Sequence, residues 1–196
     1  HIIFSFNLGG AELMLIDILN KQVNYCELDL VIINNKFDKS LIAKIDKKVN
    51  IFFINRNPKS REVLSLIKLN LLLLKLKSNI LHCHQHNIIK TLFLSRFQNK
   101  SVLTVHDTVV ESNYYKHYRA IFAISKAVFN EIHRKHNICS ILNYNGVPTD
   151  LIKMKQNLKK DVKFRIVVVS RLVHKIKGQH LVIEALALLR EKGIKN

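Results

Sequence analysis

An α/β fold built on a parallel sheet is the architecture the sequence predicts, and three observations predict it. Short runs rich in Val, Ile and Leu recur along nearly the whole chain. Segments with apolar residues at helical spacing lie between them. The strand-like runs are almost continuously apolar rather than alternating, the pattern of strands covered on both faces, and such strands are joined by helical crossovers. A doubly wound, Rossmann-like sheet follows. With 196 residues, 48% of them hydrophobic and 23% charged, the chain can bury a real core, which excludes a disordered or fibrous protein.

In order, strands are expected at 2–6, 28–33, 49–54, 80–84, 101–106, 120–124, 140–142 and 164–169, where β-branched and apolar residues cluster. Helices are expected at 11–21, 61–77, 88–97, 126–136 and 179–192. Residues 149–163 follow Pro148, hold five lysines and no aromatic residue, and read as a linker. Residues 1–148 form the first domain. Residues 164–196 supply only one strand, one loop and one helix, too little to enclose a core, so they are expected to be the start of a truncated second Rossmann-like domain.

Lys+Arg 32 against Asp+Glu 14 leaves a net charge of +18, which attracts anionic partners: nucleic acid, phospholipid head groups or a phosphorylated small molecule. Lysine far outnumbers arginine and accompanies abundant Ile and Asn, so part of this charge reflects compositional bias. Three widely spaced cysteines, Cys26, Cys83 and Cys139, argue against a disulfide-stapled secreted domain and for a reducing cytoplasm. The chain opens at His1 without a methionine and without a basic leader, and is expected to be neither a signal peptide nor an intact start. The greasiest segment, 63–76, is interrupted by Lys68, Asn70 and Lys75 and is shorter than the roughly 20 apolar residues of a membrane span. It reads as an amphipathic helix.

Ligands of open parallel sheets bind beyond the carboxyl ends of the strands. After the first strand, Gly9 and Gly10 lead into a helix whose free N–H groups can hold a phosphate; a turn requiring positive φ is the alternative. The Gly-x-Gly-x-x-Gly pattern of a dinucleotide site is missing, so NAD is disfavoured. After the fourth strand comes His82-Cys83-His84-Gln85-His86, in which alternate residues share a face. Two imidazoles on one face can ligate a divalent cation, yet no third ligand is evident and Asp107 is the only acidic residue at a nearby strand end, so a metal is not expected. After the fifth strand, His106 can move a proton near neutral pH, with Asp107 beside it to fix its tautomer; a structural histidine bonded to backbone is the alternative. Near the far end, Arg171 leaves a strand and Lys177 precedes Gly178 and a helix, so two cations and a helix dipole can converge on a diphosphate. A basic surface loop is the alternative.

In order and spacing, Gly9-Gly10-Ala11-Glu12, Ile80-Leu81-His82-Cys83-His84, Val102-Leu103-Thr104-Val105-His106-Asp107, Ile124-Ser125-Lys126, Asn145-Gly146-Val147 and Val169-Ser170-Arg171-Leu172 with Lys177-Gly178 resemble the retaining nucleotide-sugar glycosyltransferases of family 4. That family has two Rossmann-like domains facing a cleft, the GT-B arrangement. The resemblance implies that residues 1–148 are the acceptor-side domain and 164–196 the opening of the donor-binding domain. It implies that Gly9 and Gly10 lie by the donor phosphate or the acceptor, that His106 is the catalytic cleft histidine beside the donor sugar, and that His84 and Asp107 face the acceptor. Arg171 and Lys177 match the cations that neutralise the diphosphate leaving group. No metal or other cofactor is implied. Ser170 stands where the family commonly has glycine, and the family's Glu-x7-Glu motif would fall beyond Asn196, so this chain alone is expected to be inactive.

The function thus expected is sugar transfer from a nucleotide-sugar donor to a glycan or lipid-linked acceptor in bacterial lipopolysaccharide or capsule synthesis. It would take place in the cytoplasm, with peripheral attachment to the anionic inner membrane. Two alternatives come from other classes. A basic nucleic-acid-binding protein is disfavoured because no zinc-finger spacing or aromatic-interleaved binding motif is present, and nucleic acid is not an expected partner. A His-x-His metal-dependent hydrolase would need His82 and His84 close together and a metal bound.

Overall fold

The computed structural model describes residues 1–58, 60, 62–108, 113–149, 152–153, 166–170, 172–173 and 177–194. The chain divides into two compact units, His1–Thr149 and Asp150–Asn196. The first is a seven-stranded sheet with helices on both faces. Its strands are β1 (Ile2–Ile3), β2 (Asp29–Asn34), β3 (Asn50–Arg56), β4 (Leu81–Cys83), β5 (Ser101–Val105), β6 (Ala120–Ala123) and β7 (Ile141–Leu142). They lie in the order β3-β2-β1-β4-β5-β6-β7, and every neighbouring pair is parallel. The Rossmann-like α/β fold read from the sequence is the fold of this unit.

Burial on both faces explains the continuous apolar runs. Along β2, Leu30 and Ile32 join one core and Val31 and Ile33 the other, as the two-residue period of a strand requires. The helix α1 (Gly10–Gln22) covers the first face with Leu15, Ile16 and Leu19. On the opposite face lie α3 (Val63–Leu76), through Leu69 and Leu73, and α5 (Lys126–His136), through Val128 and Ile132. A one-turn helix that the sequence reading missed, α2 (Lys39–Ile42), is capped by the Asp38 carboxylate, which accepts from Ser40 N–H.

Ser125, in the Ile124-Ser125-Lys126 segment, caps α5: its Oγ accepts the Val128 N–H at 3.2 Å. Ser125→Ala is expected to cost about 1 kcal/mol, read as a thermal midpoint lowered by about 2–4 °C. A midpoint equal to wild type would remove the cap from the account.

The helix expected at 88–97 is corrected. A 3-10 turn over His86–Thr91 and a single turn, α4 (Ser95–Gln98), replace it, with Leu92 extended between them. The cause is Asn70, a buried amide on α3. Its Nδ2 donates to the Thr91 carbonyl at 2.7 Å and its Oδ1 accepts the Phe93 N–H at 2.9 Å. These side-chain bonds engage backbone groups that a continuous helix would use internally, so a tertiary contact overrides local periodicity.

In the second unit, the expected strand 164–169 is not formed over its described part: Ile166–Val169 adopt no strand and are exposed. A strand needs a neighbour's backbone to close its hydrogen bonds, and among the described residues of this unit no other strand offers one. The helix α6 (Gln179–Glu191) does form, and Gly178 precedes it as N-cap at φ +67°, a left-handed conformation that favours glycine. Of the expected linker 149–163, only Thr149, Ile152 and Lys153 are described. Among the described residues no helix is long and apolar enough to cross a membrane.

Candidate functional site

The strand order reverses direction at β1 and β4, so chain connections diverge there and leave a crevice at the carboxyl edge of the sheet. A cavity of about 300 Å³ occupies this edge. Its walls include His84 and His86 after β4, His106 and Asp107 after β5, Tyr115, and Ala11 at the start of α1. Three residues singled out in the sequence, His84, His106 and Asp107, therefore meet in one place.

Gly9 and Gly10 lie just outside that wall, next to Ala11. Gly9 has an extended backbone (φ −163°) that any residue adopts, so the positive-φ reading of this turn is corrected. A Cβ at Gly9 would meet the tip of the Glu12 side chain, which folds back over the first turn of α1 and can swing aside, so neither φ nor space demands glycine there. Gly10 borders open space. A carboxylate already stands where the helix dipole would favour an anion, so a phosphate approaching here must displace Glu12.

The histidines of the crevice are held neutral. Burial, together with the neighbouring His82 and His106, lowers the His84 pKa well below its ordinary value. Burial brings His82 down to about 4 and also lowers His106. The His84 and His106 rings stack with centroids 5.8 Å apart. His84 Nδ1 and His106 Nε2 are buried and make no hydrogen bond within the chain among the described residues. Two neutral imidazole nitrogens on one cavity, each able to donate or accept according to tautomer, suit a ligand bearing hydroxyl groups.

The depressed pKa values set a pH dependence. An unfolded histidine takes up a proton near pH 6.5, whereas His82 in the fold resists until about pH 4. Between these values the unfolded chain binds more protons, so stability is full above pH 6.5 and falls as pH drops through the window. The slope is up to about 1.4 kcal/mol per pH unit for each such histidine. Urea midpoints measured in chelator-containing buffer are expected to fall between neutral pH and about pH 5, and to fall less in His82→Gln; equal slopes would refute the assignment.

The supporting residues were not singled out in the sequence. Gln85 Oε1 accepts the Phe4 N–H at 3.0 Å, tying the chain after β4 to the chain after β1 where the ladder ends. The Tyr118 hydroxyl accepts from Ile89 N–H at 3.3 Å and lies 3.2 and 3.0 Å from the Gln85 and His86 carbonyls, which share its proton. Tyr115 is buried against the His136 ring. The His86 ring stacks on Tyr114, over which Lys90 Nζ sits at 4.3 Å.

His82 and His84 do project together, with ring centroids 4.8 Å apart. The structure adds His1, whose Nδ1 is 3.1 Å from His84 Nε2. No local sequence signal joins His1 to His82, because only the register of β1 on β4 does so. In the second unit, Lys177 is exposed directly before the Gly178 cap, and its N–H donates to the Val173 carbonyl at 2.9 Å. Arg171 lies outside the described residues. A comparison with protein-family models finds no match for the chain, and a comparison with curated proteins finds none either.

Proposed function

We propose that the chain is the acceptor-side domain and the opening of the donor-side domain of a retaining nucleotide-sugar glycosyltransferase of GT-B type. The observation that supports this reading is the convergence of His84, His106 and Asp107 on one cavity at the switch point of a parallel sheet, with two buried imidazole nitrogens free to bond a ligand. Sugars present hydroxyls that donate and accept at once, and neutral imidazoles answer either role. The exposed Asp107 carboxylate accepts a hydrogen bond from a hydroxyl.

In this reading His106 is the catalytic histidine, bonded to the donor sugar as charge develops at its anomeric carbon. Arg171 and Lys177 neutralise the departing nucleoside diphosphate. The acceptor is a bacterial envelope glycan or lipid-linked intermediate, and the charge of +18 draws the protein to the anionic inner face of the membrane. The complete gene product is assayed with a panel of nucleotide sugars and lipid-linked acceptors. Acceptor-dependent release of nucleoside diphosphate is expected, and no release with any donor rejects the reading. For the chain itself, simple glycosides are expected to shift the His84 and His106 ring resonances.

A further inference from the structure

The histidines of the crevice extend beyond the cavity. The ladder pairs Ile2 with Cys83, which places His1 beside His82 on one face of the sheet and His84 two residues further along that face. The His1 centroid is 4.9 Å from that of His82 and 5.4 Å from that of His84. One ring nitrogen from each of the three lies within 4.8 Å of the other two.

For two of the three the second nitrogen is held from outside the cluster, while His84 Nδ1 makes no hydrogen bond among the described residues. His1 Nε2 is 3.0 Å from Gln22 Oε1, which only accepts, so Nε2 carries the proton and Nδ1 turns its lone pair towards His84. His82 Nε2 is 2.7 Å from the Thr104 hydroxyl. This is how metal-binding imidazoles are held: one nitrogen for the ion, the other fixed by an oxygen that sets tautomer and orientation.

We propose that His1, His82 and His84 form a three-imidazole site for a divalent cation of the zinc class, which shares His84 with the cavity but does not depend on the sugar-transfer reading. Tetrahedral zinc with bonds of about 2.0–2.1 Å separates its nitrogens by about 3.4 Å. The 3.1 Å between His1 and His84 is close to that value, and the His82 nitrogen, within 4.8 Å of both, must draw closer when the ion binds. The donor set selects the metal. Three imidazoles without a carboxylate suit zinc, nickel, copper or cobalt and do not suit magnesium or calcium. The Cys83 thiol lies between the two strand histidines in sequence, but it is buried in the core of the opposite face and is not a ligand. Three protein ligands leave the fourth position open to water or a small donor.

The complete gene product is stripped with a chelator and titrated with Zn²⁺ against a chromophoric competitor, and separately with Co²⁺, whose absorption reports tetrahedral coordination. One equivalent is expected to bind with micromolar or tighter affinity. His84→Asn and His82→Asn are expected to abolish this site. Gln22→Ala, an exposed change that spares the core and removes only the oxygen orienting His1, is expected to weaken binding by about 10–100-fold. His106→Ala is expected to leave metal affinity unchanged. Absence of a stoichiometric site, or a site whose affinity is the same in His84→Asn and Gln22→Ala as in wild type, overturns the proposal.

Discussion

Under the proposed function, His106→Ala is expected to lower sugar transfer by the complete gene product by about 100- to 10,000-fold, the range over which a positioned acid, base or hydrogen-bonding group acts in a transition state. His106 follows β5 at the carboxyl edge of the sheet, and its buried Nε2 makes no bond within the chain among the described residues. Its contribution is therefore available to a ligand rather than committed to the fold. Removing it costs the fold no hydrogen bond at that atom but does lose the ring stacked on His84, so the thermal midpoint is expected to fall modestly, far less than the rate. The loss is expected in kcat more than in KM, because a bond that strengthens as charge develops is worth most in the transition state. His106→Gln, which keeps one donor and one acceptor, is expected to recover part of the rate. Full transfer by His106→Ala would remove the residue from the mechanism.

Asn70→Leu is expected to have the largest effect on stability of any single change considered, about 3 kcal/mol. The leucine fills a similar volume but strands the Thr91 carbonyl and the Phe93 N–H, which Asn70 now satisfies. The buried Thr91 carbonyl costs about 1–3 kcal/mol when orphaned, and the part-buried Phe93 N–H adds less. Asn70 is only 6% exposed, so water does not readily replace the lost partner. The melting midpoint is expected to fall by about 6–12 °C. A further consequence separates this mechanism from a simple packing defect: without Asn70 holding it open, the 86–98 segment is free to close towards the helix its periodicity favours. Far-UV circular dichroism is then expected to show unchanged or slightly increased helicity below the transition. A variant as stable as wild type would mean that the amide does not hold the break.

Seven of the expected strands were legible because burial on both sheet faces leaves continuous Val/Ile/Leu runs, as in β2 and β5. Helices such as α5 were legible from their apolar period, and the structure adds the caps, Ser125 before it and Asn137 at φ +52° after it. The 88–97 segment was misread because its outcome is decided by a side chain about 20 positions earlier. Over its described part, 166–169, the strand expected at 164–169 was misread for a related reason: apolar content states a preference, and only a partner strand realises it. At the site, His84, His106 and Asp107 were visible because strand ends are where parallel sheets bind ligands. His1, Gln85 and Tyr118 were not, since each acts through a contact between elements that the chain joins only over long loops. Gly9 and Gly10 were noticed as glycines, but neither the extended φ of Gly9 nor the movable Glu12 side chain beside it requires one.

The hydroxyl of Tyr118 changes what kind of surface the crevice is. One phenol on the chain leading into β6 fastens the 3-10 turn that forms the cavity wall, at Gln85, His86 and Ile89. A wall hung in this way opens only when the sheet edge behind it opens, so its amides should exchange with solvent at rates closer to core strands than to loops. A ligand entering such a crevice meets groups already in place, and little of its binding energy is spent on ordering them. Tyr118 thus converts a loop into part of the scaffold, and selectivity at this edge becomes a matter of fixed shape rather than of adaptation.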